Sequence, residues 1–214
     1  MGDESITKAL KFFLHPDAEE YFAKLDFILK NGVYIQNRAN HEQLFEFISE
    51  NKSSLKEFYL KFYNLNLDEF GEENNKFYFL DFFKQSRNNR ERLQGQYTFL
   101  KNEFVLVGFL IFKIQFIDRN FTLSSVKELK RMIRQDNQDL KNDIRSTIAG
   151  SSRTKPQEGD DSKIDDVIDN ALSVFKDISW VILDGDFFET LPAFQRIHQV
   201  YGDDINNYFE RNQE

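Results

Sequence analysis

Residues 54–83 read SLKEFYLKFYNLNLDEFGEENNKFYFLDFF, and they decide the fold. Leu55, Phe58, Tyr59, Phe62 and Tyr63 recur at three- and four-residue intervals, the period of one buried helical face. Ser54-x-x-Glu57 ahead of them has the form of a capping box. Leu65–Phe70 and Lys76–Phe83 are then strand-like runs, and GEENN between them is a turn by composition. The stretch predicts a helix that leads directly into a β-hairpin. Toward the N-terminus, Asp17-x-x-Glu20 repeats the capping form, and Ala18, Tyr21, Phe22, Leu25, Ile28 and Leu29 follow at helical spacing. Asn31-Gly32 stops that helix, and Val33–Ile35 is a short extended piece. Asn40-x-x-Gln43 opens a further helix with Leu44, Phe45 and Ile48 inward. The order helix, short strand, helix, helix, strand, turn, strand is that of a winged-helix domain, whose last two helices make a helix-turn-helix and whose hairpin is the wing.

The same order recurs downstream. A long helix is expected from about Leu93 to Ile117, with Phe121–Leu123 as the short strand. Ser125-x-x-Glu128 opens a helix with Val126, Leu129 and Ile133 inward. Residues 135–162 are polar and hold Gly150, Ser151, Ser152, Pro156 and Gly159, the composition of a mobile loop. Ile164, Val167, Ile168, Ala171, Leu172, Phe175 and Ile178 then share a helical face. Trp180–Leu183, the turn Asp184-Gly185 and Asp186–Thr190 form a second hairpin, and a helix over about Leu191–Val200 closes the pattern. The expected fold class is α+β, mainly helical: two tandem winged-helix domains with short β-hairpin wings. They span residues 1–83 and 94–205, with a polar linker over 84–93, a mobile loop at about 135–162 and a short tail over 206–214.

Composition narrows the function. With 214 residues, 40% hydrophobic and 30% charged, the chain can bury a core and stay in solution. It has no cysteine, which excludes disulfides, thiolate metal sites and thiol catalysis. His15, His41 and His198 are too scattered for a metal motif. The N-terminus carries acids where a secretory leader needs bases. The most apolar run, Phe104–Ile117, is shorter than the ~20 residues of a bilayer helix and contains Lys113 and Gln115. A cytoplasmic protein without membrane contact is expected. Net charge is −8, but unevenly placed: residues 1–83 hold 9 basic against 15 acidic side chains, 84–155 hold 15 against 7, and 156–214 hold 4 against 14.

No P-loop, nucleophile elbow, zinc-protease helix or dinucleotide glycine turn is present. Asp184 and Asp186 are explained by a hairpin turn, and Glu69, Glu72 and Glu73 by a solvated wing tip. Asp160, Asp161, Asp165, Asp166 and Asp169 sit where acids stabilise a helix N-terminus. No catalytic, metal-ligating or cofactor-binding residues emerge, and the chain reads as non-enzymatic. Those aspartates also weigh against the main alternative, a winged-helix DNA-binding transcription regulator, because a recognition helix presents its N-terminal residues to the major groove. The equivalent helix of the first domain offers only Lys56 and Lys61, with Glu57 between them. The cations lie elsewhere: Lys84, Arg87, Arg90 and Arg92 in the linker, Lys127, Lys130, Arg131 and Arg134 on the fifth helix, Lys141, Arg145, Arg153 and Lys155 in the loop. Flexible cations suit sequence-independent phosphate contact; solvated charged faces are the competing reading. Among 24 phenylalanines, Phe82, Phe83 and Phe188 are candidates for partner contact, with the core as the competing place for them.

The succession Phe22-x-x-Leu25-Asp26-x-x-Leu29-x-x-Gly32-x-x-Ile35, His41-x-x-Leu44-x-x-Phe47, Leu55-x-x-Phe58-Tyr59-x-x-Phe62-Tyr63-Asn64-x-x-Leu67 and Phe77-Tyr78-Phe79-Leu80 resembles the MukE/MksE family, the kleisin-interacting winged-helix subunits of bacterial condensins. Leu172-x-x-Phe175-x-x-Ile178-x-x-Val181, with Phe187 and Phe194, resembles the family's second domain more loosely. KQSRNNRER at 84–92 replaces a proline-containing segment, and the long tail is nearly absent, which favours the MksE branch. The resemblance implies a homodimer that binds a kleisin (MksF- or MukF-like) joined to an SMC ATPase (MksB- or MukB-like). ATP hydrolysis would belong to that ATPase. It implies sequence-independent clamping of duplex DNA at the nucleoid, for chromosome organisation and segregation or, with a nuclease partner, for plasmid defence. Arg145-Ser146-Thr147 matches a basic stretch of the family's loop, and Arg153 and Lys155 share that loop. Only Lys176 carries over from the family's second-domain helix, where Val174 and Phe175 stand beside it. The DNA-binding candidates are therefore Arg145, Arg153, Lys155 and Lys176, with Arg131 and Arg134 from the basic helix. Tyr59 and Tyr63 are the candidates for kleisin contact.

Overall fold

The computed structural model describes residues 2–38, 40–82, 100–135 and 161–202. The chain divides into two compact units, Met1–Thr98 and Phe99–Glu214. Both are mainly helical with a small antiparallel sheet, an α+β architecture. The expected linker at 84–93, Phe83, the loop interior at 136–160 and the tail at 206–214 lie outside the described residues.

In the first unit, α1 (Gly2–Ala9) leads through a 3-10 turn (Lys11–Leu14) to α2 (Ala18–Lys30) and β1 (Ile35–Gln36). Next come α3 (Glu42–Phe58), a π-helical turn (Tyr59–Tyr63) and the hairpin β2 (Asn66–Phe70) and β3 (Phe77–Asp81). The sheet order is β1-β3-β2, with Ile35 opposite Tyr78 and Leu67 opposite Leu80. Leu25 and Leu29 of α2, Leu44, Phe47, Ile48 and Leu55 of α3, and Tyr78 and Leu80 of β3 form one core. Each such side chain contributes about 1.5–3 kcal/mol on burial. Gly71 turns the hairpin at φ +82°, and a Cβ there would stand 2.2 Å from the Asn75 carbonyl oxygen.

Three sequence expectations fail here. Residues 40–63 do not form two helices: α3 is continuous through Ser53-Ser54, so the expected helix-turn-helix is not formed within them. Ser54 is buried, and its hydroxyl accepts the Phe12 N–H at 2.9 Å and donates to the Ala9 carbonyl at 3.2 Å. It thus serves the backbone where α1 passes into the 3-10 turn instead of capping a new helix. Asp17 caps nothing with its side chain either; its N–H is given to His15 Nδ1 at 3.3 Å. The N-cap of α3 is His41, not Asn40, and it too makes no side-chain cap.

The second unit contains α4 (Asn102–Phe112) with a π-helical turn (Lys113–Ile117), α5 (Val126–Gln135), α6 (Asp161–Asp177) and the hairpin β4 (Val181–Asp184) and β5 (Phe187–Thr190). A 3-10 turn (Pro192–Gln195) then passes into helical residues 196–202. α4 begins later than Leu93, with Lys101 extended ahead of it. Phe104, Val107, Phe109, Leu110, Ile111 and Ile114 are buried, so the apolar run is core. Among the described residues no helix is long and apolar enough to cross a membrane. Gln115 is buried inside that run; it donates to the Leu123 carbonyl at 3.0 Å and accepts the Thr190 hydroxyl at 2.8 Å. The short strand is not Phe121–Leu123 but the single bridge Ser125–Phe187, flanked by Phe188 N–H to Ser124 carbonyl and Val126 N–H to Asp186 carbonyl. This reproduces the pairing of the first unit, where β1, ahead of α3, joins β3, the last strand of the hairpin. Phe82 and Phe188, candidates for partner contact, are 5% and 0% exposed and belong to the cores.

Candidate DNA and partner-binding surfaces

The α5 surface starts at Ser125, whose hydroxyl accepts the Glu128 N–H at 3.2 Å, the first half of the expected capping box. A second donor of this first turn is capped from elsewhere. The Asp186 carboxylate, at the tip of the second hairpin, accepts the Lys127 N–H and the Ser125 hydroxyl, each at 2.9 Å. The Lys127 N–H, ahead of the Ser125 hydroxyl and the charges of Lys127 and Lys130, holds this carboxyl below the ordinary carboxylate range. Asp186 is therefore a helix cap reaching across 59 residues. Among the described residues no cluster of acids and histidines is arranged to hold a metal. Glu128, freed from the box, takes Arg131 in a bidentate pair at 2.9 and 2.8 Å.

The basic α5 packs on the acidic α6, and their charges meet. Lys130 bonds Asp169 at 2.7 Å, and Arg134 lies 3.5 Å from Asp165. Pairing of 130 with 169 and 134 with 165 makes the helices antiparallel. Lys176 lies eleven residues beyond Asp165, about 16 Å along the axis, so it does not join Arg134 in one patch. Lys176 is exposed, and no ion pair is seen for it among the described residues. Arg131 and Arg134 are engaged with carboxylates of their own unit. The charge segregation visible in sequence has a structural use here, and Asp165 and Asp169 serve as partners for α5 as well as sitting early in α6. Arg145, Arg153 and Lys155 lie outside the described residues, as do Lys84, Arg87, Arg90, Arg92 and Lys141.

In the first unit, Glu69 is not a free wing-tip acid. It lies 3.0 Å from Lys52, 3.7 Å from Lys56 and 3.8 Å from Lys76. Partial burial raises its pKa, but the Lys52 hydrogen bond and the three ammonium charges outweigh it and hold the carboxyl below the ordinary range. The two tyrosines differ. Tyr59 is fully buried, so it presents nothing to a partner; this corrects the sequence expectation. Burial, and then the charge and proximity of Asp26, push its phenol far above the usual range. Tyr63 is 40% exposed, with Lys30 Nζ 3.7 Å from its ring centroid. Phe62, expected inward, is 49% exposed. The π-helical turn takes more residues per turn than an α-helix, so positions 62 and 63 rotate out of the stripe that 55, 58 and 59 define. Tyr63 was a candidate for partner contact from the sequence; Phe62 beside it was missed, because the spacing alone fits an α-helix.

A family model for condensin complex protein MksE matches residues 20–201, most of the chain and both units. The chain belongs to the MksE family. No curated protein matches it. As an MksE-family member it is a condensin complex subunit, and the family match begins with α2 and runs to the final helical residues.

Proposed function

We propose that this MksE-family protein is the non-enzymatic, kleisin-binding subunit of an SMC–kleisin complex, acting as a homodimer that helps hold duplex DNA against the ATPase heads. ATP hydrolysis falls to the SMC partner. The family match over residues 20–201 is the observation that carries this reading. The sheet pairing supports a tandem winged-helix organisation: in each unit the strand ahead of the helices joins the hairpin's last strand. The second unit has the full helix, strand, helix, helix, hairpin order; the first has its two last helices fused into α3. Domain limits of 1–83 and 94–205 fit this organisation. The exposed acids of α6 and the carboxylate-paired cations of α5 argue against base reading and so against a transcription regulator. DNA contact is assigned to Arg145, Arg153, Lys155 and Lys176, with a nucleoid location and a role in chromosome segregation or plasmid defence.

The test is reconstitution. The purified chain, mixed with the kleisin of the same complex, should co-elute with it in size-exclusion chromatography, with light scattering giving two copies of the chain. Separate elution at micromolar concentration contradicts the reading.

A further inference from the structure

The turn that ends α2 holds a chemically reactive pair. Asn31 is the C-cap, at φ −81° and ψ 6°, and Gly32 follows at φ +80°. The Val33 N–H reaches back to the Ile28 carbonyl at 3.1 Å, and the Gly32 N–H to the Leu29 carbonyl at 3.0 Å. These two bonds are a common closure of a helix end, and it wants glycine at the left-handed position, where a Cβ is strained. Asparagine followed by glycine is also the pair most prone to lose its side-chain amide, because no side chain shields the next backbone nitrogen. The sequence holds this pair once. The glycine that the turn requires is thus the residue that makes Asn31 reactive.

In that reaction hydroxide takes the Gly32 N–H proton, and the nitrogen attacks the Asn31 Cγ. A C–N bond forms, the bond from Cγ to Nδ2 breaks, and the leaving nitrogen takes a proton from water and departs as ammonia. Water then opens the cyclic imide at either carbonyl, giving aspartate or a β-linked isoaspartate. The closed turn opposes each part of this. The Gly32 N–H is committed to Leu29, and the Asn31 Nδ2 donates to the Phe27 carbonyl at 2.9 Å. At ψ 6° the Gly32 nitrogen eclipses the Asn31 nitrogen, so it points away from Cβ and cannot meet Cγ until the Cα–C bond rotates. Asn31 is exposed at a helix end, where opening costs less than in the core. The product does not close the turn again. Aspartate has no amide donor for Phe27 and sets a negative charge at a helix C-terminus, where the macrodipole disfavours it. Lys30 beside it is already paired with Asp26 at 2.7 Å. A β-linkage also lengthens the main chain just ahead of Ile35, which pairs with Tyr78.

We propose that Asn31-Gly32 is a self-modification site gated by this turn: closed, the turn protects Asn31; opened, Asn31 deamidates, and the acid formed keeps the turn open. The test incubates the full chain in mildly alkaline buffer, folded and unfolded in guanidinium. Peptide mass spectrometry reads the amide-to-acid conversion at residue 31, and isoaspartyl methyltransferase labelling counts the β-linked product. Conversion in the folded chain is at least about tenfold slower than in the unfolded one, the protection expected of a turn that opens only locally. Val33 packs against the first core, so Val33→Ala loosens the turn without touching the reactive pair. That variant, folded by circular dichroism, converts several-fold faster than the wild type. Asn31→Asp, which makes the α-linked product directly, lowers the guanidinium midpoint. Equal rates in the folded and unfolded chain, or no conversion in the unfolded chain, overturn the proposal. A folded Val33→Ala that converts as slowly as the wild type overturns the gating by this turn. An unchanged midpoint for Asn31→Asp overturns the claim that the product keeps the turn open. If Val33→Ala does not fold, a guanidinium series on the wild type below its midpoint carries the gating test: the rate rises with denaturant if the turn gates it, and a flat rate overturns the gating.

Discussion

Gly71, Ser54, His41 and Asp186 each bear on stability for a reason the structure identifies. At Gly71, φ is +82° and a Cβ would collide with the Asn75 carbonyl. Gly71→Ala should cost at least ~2 kcal/mol, read as a lowered midpoint in urea without a change of slope. Ser54→Ala strands the buried Phe12 N–H and should cost about 1–3 kcal/mol in the same assay. His41 and Asp186 both contribute to the acid limit of stability. Burial, and then the charge of Lys24, push the His41 imidazole below its ordinary 6.5. Unfolded His41 takes up a proton near that value, whereas the folded one resists until lower pH. Its contribution is complete above 6.5 and is lost as pH falls through the folded value. Asp186 has the same sign: its contribution is complete above its ordinary 3.8 and is lost as pH falls through the depressed folded value. Melting temperature should therefore fall on acidification in a first step removed by His41→Phe, and then across the carboxylate range, where Asp186→Asn removes part of the loss and the depressed Glu69 accounts for another part. A pH-independent melt from 7 to 5 contradicts the His41 assignment.

Between elements, α5 and α6 are joined by Lys130–Asp169 and Arg134–Asp165 across half-exposed surface. A double-mutant cycle on Lys130→Ala and Asp169→Ala should return a coupling of about 0.2–1 kcal/mol, reduced by salt. The swap Lys130→Asp with Asp169→Lys should recover most of what either change alone loses. These two helices show how far the sequence could be read. The apolar positions Val126, Leu129 and Ile133, or Ile164, Ile168, Leu172 and Phe175, repeat with the helical period, and all are buried. The charges were countable too, but not their partners, because Lys130 and Asp169 are 39 residues apart and only tertiary packing brings them together. Two local signals misled for the same reason. Ser54-x-x-Glu57 has the letters of a cap, yet the hydroxyl is claimed by backbone 42 residues away, and the helix runs on. The stripe Leu55 to Tyr63 fits an α-helix, and nothing in its spacing announces the π-helical turn that exposes Phe62 and Tyr63.

For the whole molecule, the unequal distribution of charge was legible and its meaning was not. Part of the basic middle third is spent internally, so Arg131→Ala and Arg134→Ala should change stability by a few tenths of a kcal/mol and leave DNA affinity of the assembled complex unchanged. The triple change of Arg145, Arg153 and Lys155 to Ala should instead weaken DNA binding for all sequences alike. It should lower the slope of log affinity against log salt by up to about 3, measured by fluorescence anisotropy with a labelled duplex; an unchanged slope contradicts the assignment. All of this presumes a chain that works inside an assembly. The most direct measurement is a tagged pull-down from the native cell at endogenous expression, read by mass spectrometry. Recovery of a kleisin together with a large coiled-coil ATPase is the predicted result. Recovery of the chain alone, bound to a discrete set of promoter fragments, would contradict it.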